Sequence, residues 1–234
     1  MIPKITYKSN KILDKRMSLS FLDIQVGGWD FSNGIIGVHP ELKGINTRNK
    51  IYQKKEINIH FDSFYKEYGQ YLKKRIHEFQ LDWDKVEKKY FQEVNRVFNN
   101  YSWPKGRYVG FLSIVDCNPR FLADKTFQVF YLHPDGSIYV TVHELLHFCF
   151  YEYCLKNYSN IFKKLDTENG SFWDLAEIFN VVILSQPEFV KIHKLKKIFV
   201  YPEHRKYIQF LKRLWQREKD IDNWIVKGFE YLKK

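Results

Sequence analysis

The sequence predicts an α+β fold, and three observations carry that prediction. Two short runs rich in β-formers lie mid-chain, at Tyr108–Val115 and Thr126–Leu132. Apolar residues recur at helical spacing before them, over Asp62–Phe98, and again in the C-terminal tail. Hydrophobic residues make up 44% and aromatics 18% of 234 residues, enough to bury a core and too many for a disordered chain. This length suits a single domain over 1–234: an N-terminal β segment and helical pair in 1–104, then a mixed core with C-terminal helices in 105–234.

The elements follow in order. Leu19–Val38 alternates loosely around Gly27-Gly28 and Asn33-Gly34 and reads as a short β-hairpin. Two amphipathic helices then form an antiparallel pair. The first carries Tyr65, Tyr68, Leu72, Ile76 and Phe79; the second carries Trp83, Val86, Tyr90, Val94 and Phe98, with Asp84 and Glu87 as a capping pair near its start. Trp103-Pro104-Lys105-Gly106 closes this helical section, and the two strands follow, Thr126–Leu132 forming a sheet edge. His133-Pro134-Asp135-Gly136 has the residues of a β-turn, and a helix starts after it with Ser137 as cap. In the tail, Tyr207, Phe210, Leu211, Leu214 and Trp215 form one apolar stripe, and Ile221, Trp224, Ile225, Phe229 and Leu232 another.

The net charge is +11, from 38 Lys+Arg against 27 Asp+Glu. The excess is mostly lysine, dispersed, in a composition also rich in Asn, Ile, Tyr and Phe and poor in Ala. That pattern suits AT-rich coding better than a nucleic-acid footprint, so nucleic-acid binding stands as the weaker alternative. Three cysteines, Cys117, Cys149 and Cys154, are too few and too scattered for a disulfide framework and read as small core residues. With no signal-peptide pattern and no apolar run long enough to span a bilayer, the expected location is cytoplasmic.

One segment carries chemistry. Val140–Phe150 contains His143-Glu144-Leu145-Leu146-His147. On a helix, positions i and i+4 share a face, so both imidazoles can reach one zinc ion at about 2.0–2.1 Å. Glu144 lies about 100° round the helix, beside such an ion, where it can take a proton from water. Two local alternatives compete. The histidines can be satisfied in a core, and Thr141 with Glu144 fits a capping box that would tie the carboxylate to backbone. The apolar pattern begins before Thr141, which favours the metal reading.

With this motif the chain resembles the zincin metallopeptidases, over the motif helix and about sixty residues around it. Phe148–Leu155 supplies neither the glycine nor the third histidine of the metzincin branch. The gluzincin branch takes a glutamate from a second helix downstream, and Gly170–Asn180 offers one. Gly170 breaks the chain, Ser171 and Asp174 make a helix-start signature, and Glu177 sits among Leu175, Ala176, Ile178 and Phe179. An acid there is costly to bury unless paired or metal-bound. Small Ala176 would let two helices approach.

The resemblance implies a zincin-like catalytic domain with an added N-terminal helical lobe. Its zinc would be held by His143, His147 and Glu177, with Glu144 as general base and Asp174 supporting a ligating histidine. Tyr201 and His204, with Tyr207, are candidate donors to an oxyanion. Asp166 and Glu168 are rival third ligands, and Glu152 points off the histidine face. The implied activity is zinc-dependent hydrolysis of a peptide or protein substrate, its backbone received along the Thr126–Leu132 edge. The alternatives are a basic nucleic-acid-associated zincin-like protein and a non-catalytic structural zinc protein.

Overall fold

The computed structural model describes residues 2–233. The chain divides into two compact units that interleave along the sequence rather than meeting at residue 104. One is built from Lys4–Asp84 and Gly106–Thr141, the other mainly from Lys85–Lys105 and the chain from Val142 onward.

The first unit holds the sheet. β1 (Thr6–Ser9) and β4 (Val109–Ser113) pair in parallel, β4 and β6 (Thr126–Phe130) also in parallel, and β5 (Arg120–Phe121) runs antiparallel to β6. The order β1-β4-β6-β5 makes a small mixed sheet, in keeping with the α+β class. β1 escapes the sequence reading because it is short and polar, with only Tyr7 buried.

β6 is not the open edge that the sequence suggested. β4 occupies one flank and β5 the other, and beyond β5 the Gln128 amide donates to Pro119 O at 2.9 Å and the Phe130 amide to Asn118 Oδ1 at 2.7 Å. Asn118, in the left-handed region at φ 47°, turns the preceding segment back alongside the strand.

The expected hairpin shrinks to β2 (Gln25–Val26) and β3 (Trp29–Asp30), joined by Gly27 and Gly28 at positive φ. The residues around it are helical: α1 (Lys11–Phe21), and α2 (Asn33–Ile36), which takes up the Asn33-Gly34 pair expected to turn.

The expected pair of helices is one continuous helix, α3 (Lys50–Val97), of 48 residues, which contributes to both units. It contains no proline and a single glycine, Gly69, so nothing breaks it between the two apolar stripes. Asp84 is no cap; its Oδ1 accepts from Gln80 Nε2 one turn back, at 2.9 Å. Along α3, Ile57, Phe61, Leu72, Phe79, Trp83, Tyr90 and Val94 are buried at helical spacing, whereas Tyr68 is exposed.

A buried acid ties the first unit together. Asp14 of α1 accepts from Ser113 Oγ (2.8 Å) and Gln128 Nε2 (2.6 Å) on Oδ1, and from Tyr65 OH (2.6 Å) and the Ile114 amide (3.1 Å) on Oδ2. Burial pushes its carboxyl up to about 6, outweighing the four donors.

The second unit is helical. Its core elements are α4 (Gly136–Asn157, shared with the first unit) and α6 (Gly170–Leu184), both apolar almost all round, as deeply buried helices are. The short α5 (Ser159–Phe162) links them, and α7 (Pro187–His193), α8 (Arg205–Glu218) and α9 (Ile221–Leu232) follow. α8 and α9 pack on α6 and on each other. Gly228 allows the close approach: a Cβ there would stand 3.1 Å from Leu175 Cδ1 and 3.3 Å from Leu211 Cδ2. Among the described residues, no helix is long and apolar enough to cross a membrane.

Candidate metal centre

The turn before α4 forms as its residues dictate. The Gly136 amide donates to His133 O at 2.9 Å, and Gly136 takes φ +81°, open to glycine at little cost. The helix begins at Gly136, so Ser137 lies in its first turn and is not the cap. The capping-box alternative is absent, because Thr141 sits inside the helix with its Oγ1 2.7 Å from Tyr7 OH. The helix continues through His143, Glu144 and His147, whose neighbours Leu145, Leu146 and Phe148 are buried.

α6 is capped two residues earlier than the sequence suggested, at Asn169 rather than Ser171. Asn169 Oδ1 accepts the Gly170 amide at 2.7 Å, which puts Ser171 inside the first turn. Glu177, two turns in, is brought to the α4 face by ring packing and one polar tie. Phe150 stacks on Phe179 with centroids 4.5 Å apart, and Tyr151 meets Phe172 edge-on at 4.8 Å. Asn180 Nδ2 donates to His143 O at 2.9 Å. The sequence offered a sign of that tie: Asn180 is the one polar residue in the apolar run Ile178–Leu184, and buried amides need partners.

The structure therefore brings His143, His147 and Glu177 together. His143 Nε2 and His147 Nε2 are 3.1 Å apart, their rings at 77°. Glu177 Oε2 lies 3.3 Å from His143 Nε2, and Oε1 lies 3.2 Å from His147 Nε2. Burial alone would push the Glu177 carboxyl up; the facing His147 and His143 rings more than reverse this and hold it well below the usual carboxylate range. His147 is fully buried and Glu177 nearly so, while His143 keeps 18% of its side chain exposed, so the cluster reaches solvent through His143. Glu144 Oε1 stands 4.0 Å from His143 Nε2 on a side chain only 7% exposed.

These residues fit zinc. Donors about 2.0–2.1 Å from a tetrahedral ion lie about 3.3 Å from one another, close to the 3.1–3.3 Å observed. Two imidazoles and one carboxylate are a borderline-soft set that suits zinc better than calcium or magnesium.

The other residues singled out in the sequence do not join this donor cluster. Asp174 does not support a motif histidine; its Oδ1 accepts from His204 Nε2 at 2.8 Å. His204 is buried, and its ring packs with those of Trp173 and Tyr201 at 5.1 and 5.5 Å. Asp174, His204 and Tyr207 line a cavity of about 390 Å³. Asp166 and Glu168 are exposed in the loop before α6, Asp166 Oδ1 accepting the Glu168 amide at 2.8 Å, and neither joins the cluster. The three cysteines are buried and unbridged, and burial raises each thiol's pKa.

No protein-family model matches this sequence, and neither a curated protein nor a solved structure matches the chain.

Proposed function

We propose that this chain is a zinc-dependent hydrolase of peptide bonds. The observation that carries the reading is the convergence of His143 Nε2, His147 Nε2 and the Glu177 carboxylate at 3.1–3.3 Å, with a second acid, Glu144, beside them. When bound, zinc supplies a Lewis acid that polarises a carbonyl oxygen and brings the pKa of a water to about 7.

The rest falls to the chain. His143 and His147 present their Nε2 lone pairs, and Glu177 supplies a negative charge that needs no proton removed, since its neighbours already hold it ionised. Glu144 has no ligand role. Its carboxylate takes the proton of the attacking water and returns it to the nitrogen of the departing amine. The apolar wall of α4 and α6 excludes bulk water, which strengthens each of these interactions. Substrate cannot add to β6 as a new strand, since both flanks of that strand are filled.

The test uses the purified zinc-loaded chain with unfolded protein substrate and mass-spectrometric detection of new termini. Cleavage that stops on chelation and falls roughly 10²–10⁴-fold in Glu144→Gln, with zinc retained, supports the proposal. Full zinc loading with no cleavage of any substrate leaves a non-catalytic zinc protein and overturns it.

A further inference from the structure

The first unit contains a second constellation of nitrogen and oxygen donors, unrelated to the first in sequence. His39 ends the segment after α2, and a 3-10 turn, Pro40–Leu42, carries Glu41 two residues on. His60 projects from α3. His39 is buried, with Phe61 and Phe64 rings 5.2 Å from its own. Its Nε2 donates to Ile114 O at 2.8 Å. That bond fixes the tautomer: the proton sits on Nε2, and Nδ1 presents its lone pair. His60 Nε2 lies 3.0 Å from this Nδ1, and Glu41 Oε2 lies 4.0 Å from His60 Nε2. One donor atom from each of the three residues falls within 4.8 Å of the others.

We propose that His39 Nδ1, His60 Nε2 and the Glu41 carboxylate form a second binding site for a divalent cation of the zinc class. The support is the arrangement itself. A histidine that donates its remote N–H to a backbone carbonyl while aiming its other nitrogen at further donors has the supporting bond typical of metal-ligating histidines. The two imidazole nitrogens already stand at about the separation that two ligands on one small ion require. The third ligand is wider, but Glu41 is 68% exposed on its side chain and free to swing inward, whereas the histidines are held. Imidazole, imidazole and carboxylate suit zinc, cobalt or nickel rather than calcium. The rival use of the same atoms is a hydrogen bond from His60 Nε2–H to His39 Nδ1, which a cation would replace.

Such an ion would clip the Pro40–Leu42 turn to the N-terminal quarter of α3. Its role is structural, and it does not depend on any hydrolytic activity of the first cluster.

The experiment counts cobalt(II) and zinc equivalents on the intact chain by titration after chelation. It compares the parent with His60→Gln, Glu41→Gln and His143→Gln. His60 is only partly buried on a helix surface and Glu41 is exposed, so these substitutions spare the core. The parent should take one equivalent more than His60→Gln, and Glu41→Gln should weaken that equivalent roughly 10–100-fold. His143→Gln should leave it intact. If the first cluster binds no metal, the parent takes one equivalent and His60→Gln none, so the two sites are judged separately. Equal equivalents and affinities in the parent, His60→Gln and Glu41→Gln would overturn the second site.

Discussion

Replacing Glu177 by glutamine keeps its volume and removes its charge. Its carboxylate is 5% exposed and faces His143 Nε2 at 3.3 Å and His147 Nε2 at 3.2 Å. Removing one member of a buried charge pair costs about 3–5 kcal/mol. A divalent ion held by two neutral imidazoles in the same setting loses its counter-charge and one ligand together. At about 1.4 kcal/mol per decade, zinc affinity should fall roughly 10²- to 10⁴-fold, read by competition against a chromophoric chelator. The metal-free chain also loses charge-assisted hydrogen bonds worth about 1.5–3 kcal/mol. For a chain of this length that is about 3–12 °C in Tm, so circular dichroism should still show a folded protein. Asp166→Asn and Glu168→Gln, in the exposed loop, should leave affinity unchanged. If Glu177→Gln keeps zinc within about threefold while either loop substitution loses it, Glu177 is not the third ligand.

Glu144→Gln should retain zinc and lose roughly 10²–10⁴-fold in hydrolysis; an unchanged rate would remove Glu144 from the chemistry. Asp174→Asn should leave zinc affinity unaltered, since its carboxylate serves His204 at 2.8 Å, and should instead shift the His204 ring resonances in NMR spectra. Chelation should lower Tm by about 8–16 °C relative to protein at a thousandfold excess of zinc over Kd, the linkage being about 4.1 kcal/mol, and this difference should shrink in His147→Gln. The Asp14 carboxyl, at about 6 in the fold, lies above the unfolded value near 3.9, so the fold favours its protonated form. The stability this adds is complete below about pH 4 and is lost as pH rises through 6, about 3 kcal/mol in all. His39, which burial pushes down to about 4, works in the opposite sense, losing its contribution as pH falls through that value. Comparing parent with Asp14→Asn by urea unfolding cancels His39, and the variant should gain on the parent by about 3 kcal/mol between pH 4 and 7; no change would refute the account of Asp14.

The part of the site that the sequence disclosed is the part that depends on one helix. His143, Glu144 and His147 are spaced by helical geometry alone, and nothing beyond α4 is needed to predict that two imidazoles share a face. Glu177 was legible for an energetic reason, an acid set among apolar residues. Asp174 was misjudged because its position one turn before Glu177 says nothing of what lies opposite, and the partner, His204, comes from thirty residues on. The second cluster escaped altogether. His39, Glu41 and His60 have no helical spacing in common, and the bond that orients His39 comes from Ile114, 75 residues away. The same limit explains the fold errors. α3 lacks a break, so the two stripes are one helix, and β6 loses its free edge to Asn118 and Pro119, an Asn-Pro pair that marks a turn but not the strand it turns back upon.

The apolar character of α4 and α6 poses an energetic problem that the metal reading answers. Glu144 and Glu177 are exposed by only 5% and 4%, and His147 not at all. An ionised carboxylate in such surroundings costs several kcal/mol after relaxation, and apolar residues of equal volume would pack there at less expense. For Glu177 the two imidazoles reverse the cost, which its lowered pKa records. An imidazole pair at 3.1 Å, however, can share at most one proton comfortably, because two adjacent imidazolium rings repel. A divalent ion resolves this. Bound by the three residues as proposed, it would let both rings remain neutral and would leave Glu144, outside that ligand set, as the acid to carry a proton. The arrangement is costly as packing and consistent as a cation site, and that asymmetry favours a bound cation, as the proposed function requires, over plain core packing.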